Sequence, residues 1–209
     1  MNLNSITYFG LIRHGKTQWN LEKRIQGKNN PPLCPQGIFE VERWGNFLKN
    51  AKKWDRIVTS NLQRTWETAH IINKDLKIPL DKDERLDEQD WGLWNGKTTK
   101  ELCDGQFREV EYQMALGWRF CPPGGEDRLA VWQRSRNAFA DLSGRYAGKN
   151  ILVITHIGVI KAIVYGILKR KFLPEEPALL KPNYLHLLAW QNNDLIIRSL
   201  NAVCFSECP

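Results

Sequence analysis

The segment that most constrains the fold runs from Ile151 to Thr155 and reads ILVIT. A strand without the usual alternation of apolar and polar residues is buried on both faces, as in a parallel sheet covered by helices on each side. His156 stands at the end of this strand, and helical spacing of apolar residues follows from Val159 to about Lys169. The segment therefore predicts a buried strand, then His156 in the connecting loop, and then a helix.

A second strand of the same kind lies near the start of the chain. The residues Ile6 to Ile12, ITYFGLI, form a short apolar run that ends at Arg13-His14-Gly15. In open α/β sheets, ligands bind at the carboxyl ends of the strands. Because Arg13-His14 and His156 each follow such an end, we expect them to share one site.

Strand and helix patterns alternate along the rest of the chain, which favours an α/β fold. A turn at Gln191 to Asp194 separates two strand-like segments near the end, indicating an antiparallel pair. We therefore predict a three-layer α/β/α sandwich with a mostly parallel mixed sheet, as a single domain over residues 1–209. The further predicted elements are helices at 36–50, 61–73 and 127–142 and strands at 56–59, 184–190 and 195–200.

Composition excludes several classes of protein. Of the 209 residues, 42% are hydrophobic and 25% are charged, which is a globular balance rather than a disordered one. No apolar run approaches the roughly 20 residues that span a bilayer, and the first dozen residues lack the order of a signal peptide. We expect a soluble cytoplasmic protein without a membrane partner.

Charge and metal-binding residues narrow the class further. The formal charge is +7, but no basic block exceeds Lys169-Arg170-Lys171, so we favour a solvated basic surface over a nucleic-acid partner. The four histidines form no metal-binding spacing, and we expect no metal and no cofactor. Five scattered cysteines are a poor disulfide framework and are typical of a reducing compartment: Cys34, Cys103, Cys121, Cys204 and Cys208.

The segment around Arg13 and His14 carries groups suited to phosphoryl transfer. An arginine presents a planar fork to two phosphoryl oxygens, and a neutral histidine can attack phosphorus. Thr17 and Asn20 add short polar side chains that we expect to contact the substrate. On these residues alone, an ordinary loop at a strand end is the simpler interpretation.

Further motifs in a fixed order change that balance. Arg13-His14-Gly15 and these motifs together resemble the pattern of the histidine phosphatase superfamily, also called phosphoglycerate mutase-like. The resemblance extends from about Ile6 to Asn201. Within this superfamily, the chain looks most like the α-ribazole phosphatase and broad-specificity phosphatase branch. The other matching segments are Arg24-Ile25-Gln26-Gly27, Pro32-Leu33, Ser60 to Ala69, Leu86-Asp87-Glu88, Gly92 to Gly96, Pro123 to Glu126 and Thr155 to Ile160.

The resemblance implies a catalytic role for each matching residue. His14 would be the nucleophile that forms a phosphohistidine, and Arg13 and Arg64 would hold the phosphoryl oxygens. His156 would donate to the same oxygens, either as an imidazolium or as the suitable neutral tautomer. Glu88 would protonate the leaving oxygen and later deprotonate the attacking water. Its motif position favours it over the acids that crowd it: Asp83, Glu84, Asp87 and Asp90.

The resemblance also bears on the substrate and the partners. Gln26 and Gly27 would join Thr17 and Asn20 in contacting a small phosphorylated metabolite, and a metal would not be needed. Glu126 is equally compatible with a substrate contact and with a plain turn. Whether two copies pair as a homodimer is left open.

Some positions depart from the family pattern and affect the expected specificity. Lys16 replaces the usual Glu or Gln, and Thr65 replaces Ala. Asn95 replaces Glu, and Ile157 replaces a small residue. Lys16 and Lys28 near the entrance would favour an anionic substrate. We expect an aromatic wall over the site from Trp91, Trp94 and Trp118.

Three functions from different classes remain. A phosphatase is favoured over a phosphoglycerate mutase, because only 37 residues separate Glu88 from Glu126, which leaves little room for the insertion that family mutases carry. A non-catalytic module that binds phosphorylated ligands is disfavoured because all the transfer groups are present.

Overall fold

The computed structural model describes residues 5–205, so Cys208 lies outside the described residues. Six strands form one sheet in the order β3-β2-β4-β1-β5-β6. The strands β3, β2, β4 and β1 are parallel to one another. On the other side of β1, β5 pairs with it antiparallel, and β6 pairs antiparallel with β5. The strands are β1 (Thr7–Arg13), β2 (Arg56–Thr59), β3 (Leu80–Lys82), β4 (Asn150–Thr155), β5 (Tyr184–Gln191) and β6 (Asp194–Cys204).

Helices cover both faces of this sheet, which confirms the predicted mixed α/β sandwich. Along β4, Ile151 and Val153 pack into one hydrophobic core with α5 (Arg128–Arg145) and α6 (Ile157–Ile167). Leu152 and Ile154 pack into another with α2 (Pro35–Ala51) and α3 (Gln63–Leu76). The absence of alternation in this strand thus reflects burial on both faces. The remaining helices are α1 (Gln18–Leu21) and α4 (Thr99–Ala115).

The structure extends and shifts some predicted elements. The last helix was predicted from Val159 but begins at Ile157, directly after His156. The sequence did not indicate α1, β3 or α4. Among the described side chains of α4, only Leu102 is buried, so its sequence carries little of the apolar spacing that marks a helix.

The register of the sheet determines where the site lies. Arg13, the last residue of β1, pairs with Thr155, the last residue of β4. The backbone N–H of His14 then donates to the carbonyl of Thr155 at 3.0 Å. The residues that follow the two strands therefore leave the sheet side by side. Within residues 5–205, no helix is long and apolar enough to cross a membrane.

Candidate active site

The two histidines predicted to share a site are neighbours. The ring centres of His14 and His156 lie 5.2 Å apart, and both side chains are buried. Their proximity follows directly from the parallel pairing of β1 with β4.

The hydrogen bonds of His14 define which nitrogen can react. Nδ1 lies 2.7 Å from the carbonyl oxygen of Gly15, which can only accept, so Nδ1 carries the proton. Nε2 then holds the lone pair. Burial lowers the pKa of His14 well below 6.5, and the charges of Arg13 and Arg64 lower it further. At neutral pH the ring is uncharged, with Nε2 as a nucleophile.

Arg64 lies directly beside this nitrogen. Its Nε donates to His14 Nε2 at 3.2 Å, and its two terminal nitrogens donate to the backbone carbonyls of Gly27 and Asn29 at 2.8 and 2.7 Å. The side chain is fully buried, and burial lowers the pKa of Arg64 to about 10, so it stays charged at neutral pH. Two loop carbonyls thus fix the guanidinium beside the nucleophile.

Arg13 supplies a second cation to the same cavity. Its Nε is buried and has no hydrogen-bond partner among residues 5–205. Burial lowers the pKa of Arg13, and the negative charge of Glu88 opposes that shift. A buried donor without a partner is costly, so this nitrogen is suited to an anionic ligand.

His156 is held through a short chain of hydroxyl groups. Its Nε2 lies 2.8 Å from Ser60 Oγ, which lies 2.7 Å from Thr65 Oγ1. The Nδ1 of His156 is buried and lacks a partner in the described part of the chain. Burial lowers the pKa of His156 well below 6.5, and Arg64 lowers it further. Of the two expected forms, the neutral tautomer therefore fits this site.

Glu88 is the acidic residue of its segment that lines the cavity. Its Oε2 accepts from the backbone N–H of Gly158 at 3.4 Å, in the first turn of α6. A Cβ atom at Gly158 would collide with Glu88 Oε1. The neighbouring acids are engaged elsewhere, since Asp87 accepts from the Asn61 N–H and Asp90 from the Gly92 N–H.

Arg134 on α5 fixes the backbone around Glu88. It donates to the carbonyls of Arg85 and Glu88 at 2.7 and 3.3 Å and forms an ion pair with Glu126 at 2.7 Å. For Glu126, a substrate contact and a plain turn were both open. The structure pairs its carboxylate with Arg134, and Glu126 does not line the cavity. No sequence motif pointed to Arg134, because an arginine on a helix is usually solvated.

Thr17 and Asn20 were both predicted to contact the substrate, and the structure separates their roles. Asn20 lines the cavity, but Thr17 is completely buried and is not among the lining residues. The Thr17 hydroxyl caps α1 and donates to Asn20 Oδ1 at 3.2 Å. The capping box occupies the oxygen of Asn20 and leaves its NH₂ group as the donor for a ligand.

Gln26 and Gly27 also line the cavity. Gln26 is buried, and its Oε1 has no partner among the described residues. Gly27 has a φ of +46°, and a Cβ there would collide with the side chain of Asn95. Gly27 thereby permits the turn whose carbonyl holds Arg64.

The predicted aromatic wall reduces to one tryptophan. The cavity has a volume of about 170 Å³, and Trp91 lines it together with Ile157. Trp94 is instead buried with Phe120 in a separate small core. Trp118 packs edge-on against the ring of Phe172 and does not line the cavity. The expectation for Trp94 and Trp118 was wrong because Trp94 is buried in that core, and the half-buried Trp118 packs against Phe172 and donates its Nε1–H to the carbonyl of Arg170.

The lysines near the entrance do not add charge to the cavity. Lys16 forms an ion pair with Glu40 at 2.7 Å, and neither Lys16 nor Lys28 lines the cavity. Over residues 5–205, no group of three or more His, Cys, Asp or Glu side chains could hold a metal ion. The positive charge in this site comes from arginine.

Comparisons with known proteins agree with this geometry. The family model of the histidine phosphatase superfamily, branch 1, matches residues 9–202. An uncharacterized phosphatase of Bacillus subtilis, PhoE, is 32% identical over 158 residues, which cover 74% of each chain. The adenosylcobalamin/α-ribazole phosphatase of Escherichia coli is 29% identical over 155 residues, 74% of this chain and 75% of the relative.

Isomerases and solved structures are among the similar proteins as well. A 2,3-bisphosphoglycerate-dependent phosphoglycerate mutase from Bradyrhizobium is 28% identical over 181 residues, 80% of this chain and 87% of the relative. The structure of YhfR from Bacillus stearothermophilus superposes with a TM-score of 0.87 at 28% identity, covering 96% of this chain and all of that one. From the ordered motifs, the site they assemble and these matches, the chain belongs to the histidine phosphatase superfamily.

Proposed function

We propose that the chain is a metal-independent phosphatase that hydrolyses a small phosphomonoester through a phosphohistidine on His14. The observation that carries the proposal is the unprotonated Nε2 of His14 beside the guanidinium of Arg64, in a cavity that Arg13 and Glu88 also line. A nucleophile, two cations and an acid then surround the position of one phosphoryl group.

In the first step, His14 Nε2 attacks phosphorus, and the bond from phosphorus to the ester oxygen breaks. Glu88 gives its proton to that oxygen, so the leaving group departs as a neutral alcohol. Arg13, Arg64 and His156, whose Nδ1 has no partner among the described residues, bind the three phosphoryl oxygens. For His156 this requires the tautomer with the proton on Nδ1, so that Nε2 accepts from the hydroxyl of Ser60. For this step Arg64 Nε exchanges its bond to His14 for one to phosphate.

In the second step, water attacks the phosphorus of the phosphohistidine. The Glu88 carboxylate takes a proton from this water, the P–N bond breaks, and inorganic phosphate and neutral His14 are regenerated. Glu88 is protonated again at the end, so the cycle balances. Two arginines supply the positive charge that a metal would otherwise provide.

The choice of phosphatase over mutase rests on the cations near the cavity. Four cations lie between Glu88 and Glu126, all within the described residues, and none lines the cavity: Lys97, Lys100, Arg108 and Arg119. Arg24 does line it, but this side chain is paired with Glu22 at 2.8 Å and Glu101 at 3.5 Å. A mutase must hold a second anionic group of its substrate. Apart from Arg13 and Arg64, which hold the transferring phosphoryl group, this cavity has, among the described residues, no unpaired cation that could do so.

The decisive experiment uses an aryl phosphate in the presence of excess chelator. We expect phosphate release by the wild type, and a loss of at least about a thousandfold in His14→Ala, because the nucleophile is removed. His70→Ala is the matched control, since His70 is exposed on α3 and contacts Trp66 rather than the cavity. Activity retained in His14→Ala would refute the assignment.

A second measurement separates the two reaction types. Supplying 3-phosphoglycerate with its bisphosphate cofactor should yield free phosphate rather than the 2-phospho isomer. Faster isomer formation than phosphate release would establish the mutase alternative. A panel with α-ribazole phosphate and sugar phosphates then identifies the leaving group.

A further inference from the structure

A second cavity of about 140 Å³ adjoins the catalytic one. Arg13 and Ile157 line both cavities and separate them. The far side of the second cavity is formed by the segment from Leu180 to Tyr184 and by His186 on β5. None of these groups takes part in the proposed reaction except Arg13.

His186 presents a hydrogen-bond donor to this second cavity. Its side chain is only 2% exposed, and its Nδ1 accepts from the backbone N–H of Asn201 at 3.1 Å. Burial lowers the pKa of His186 to about 4, so at neutral pH the ring is uncharged. With Nδ1 accepting, the proton resides on Nε2, which makes this nitrogen a donor.

The charged groups around the cavity are all positive. Arg13 contributes a guanidinium whose buried Nε has no partner among residues 5–205, and Lys181 is exposed, with its Nζ 5.6 Å from the ring centre of Tyr184. None of the nine residues lining the cavity is acidic. Two cations and a buried N–H donor without a carboxylate are the features of a site for an oxyanion.

Ile157 keeps this site apart from the catalytic cavity. At this position the family pattern usually has a small residue, whereas the isoleucine side chain here stands between the two spaces. Arg13 remains as the one polar group common to both. An anion in the second cavity would therefore share this guanidinium with the transferring phosphoryl group.

We propose that the second cavity is an accessory anion site that takes one phosphate, sulfate or carboxylate group, held by Arg13, Lys181 and His186. The group is either a free ion or a second anionic group of the substrate. The binding itself goes beyond the proposed phosphatase activity and is testable without it. The kinetic comparison of the two sources does rest on that activity.

The test is a sulfate titration of the full chain, followed through the ring ¹⁵N signals of its four histidines at constant ionic strength. Signals of His14 report on the catalytic cavity, and signals of His186 report on the accessory site. In Lys181→Glu, we expect the His186 response to move to about tenfold higher sulfate concentration, because a nearby charge is reversed. The His14 response should stay in place.

Two variants complete the titration. Lys74→Glu is the matched control, because Lys74 is an exposed residue of α3 that lines neither cavity and undergoes the same charge change. His186→Asn keeps an acceptor for the Asn201 N–H while removing the Nε2 donor, and it assigns the His186 signals. A His186 response that is absent in the wild type, or unchanged in Lys181→Glu, would overturn the proposal.

Kinetics distinguish the two sources of the anion. If the anion belongs to the substrate, Lys181→Glu should raise KM about tenfold for a bisphosphate ester and leave KM for an aryl phosphate unchanged. If it is a free ion, sulfate should lower kcat for the aryl phosphate in the wild type but not in Lys181→Glu. If the wild type hydrolyses neither ester, the phosphatase proposal fails, and the sulfate titration still tests the anion site.

Discussion

At the scale of single residues, the site depends on groups that make contact without reacting. Gly158 is the clearest example, because the Glu88 carboxylate occupies the space where any other residue would have its Cβ. The sequence marked Gly158 only as part of a motif. Its physical role, close approach of an acid to the first turn of α6, becomes visible once Glu88 and α6 are in place.

Gly158→Ala should therefore lower kcat without unfolding the protein. The added methyl group displaces Glu88, and a displacement of about 1 Å in a reacting group can cost about a hundredfold in rate. Steady-state kinetics with an aryl phosphate measure the effect. Gly144→Ala on α5 is the control, because a Cβ there meets nothing within 4 Å. Equal kcat values for the two variants would contradict the role.

Thr17 illustrates a second indirect contribution. Because its hydroxyl fixes the orientation of Asn20, Thr17→Val should remove about 1 kcal/mol of capping energy from α1 and lower kcat/KM about tenfold. Thr17→Ser keeps the hydroxyl and should retain most of the activity. If Val and Ser behave alike, Asn20 does not depend on this hydroxyl.

At the scale of elements, β1 and β4 place the histidines and α5 places the acid. The strands do so through their register, whereas α5 acts through Arg134, which holds the backbone carbonyls of Arg85 and Glu88. The site is thus assembled on one edge of the sheet and secured by a helix that contributes no reacting group.

Arg134→Met should weaken this hold while keeping the aliphatic part of the side chain. We expect kcat to fall about tenfold with little change in KM, since Glu88 acts in proton transfer rather than in binding. Arg136→Met on the same helix is the control, because Arg136 does not line the cavity and forms an ion pair with Asp194 at 3.2 Å. A rise in KM with unchanged kcat would show that Arg134 serves substrate binding instead.

At the scale of the whole molecule, three histidines are buried in a neutral state. Burial lowers the pKa of His14, His156 and His186 below the ordinary 6.5. The unfolded chain therefore binds more protons than the folded one between pH 6.5 and the lowered values. The free energy of unfolding must fall as the pH drops through this window.

His186 gives the measurable share of this effect. With a folded pKa of about 4, it should account for about 2 kcal/mol of the stability lost between pH 7 and pH 5. Denaturant unfolding at the two pH values measures the loss. In His186→Asn the loss should be smaller by that amount, and an unchanged pH dependence would show that His186 is not buried as a neutral ring.

The sequence by itself determined the class of fold, the strands that carry the histidines and the family. Those conclusions depend on local patterns, since a strand without alternation must be buried on both faces and ordered motifs identify a superfamily. The tertiary structure alone decided that Thr17 is a cap, that Trp94 packs in a core and Trp118 against Phe172, and that Arg134 holds the Glu88 segment. These are contacts between residues distant in sequence, and no local pattern records which side chain occupies the space beside another.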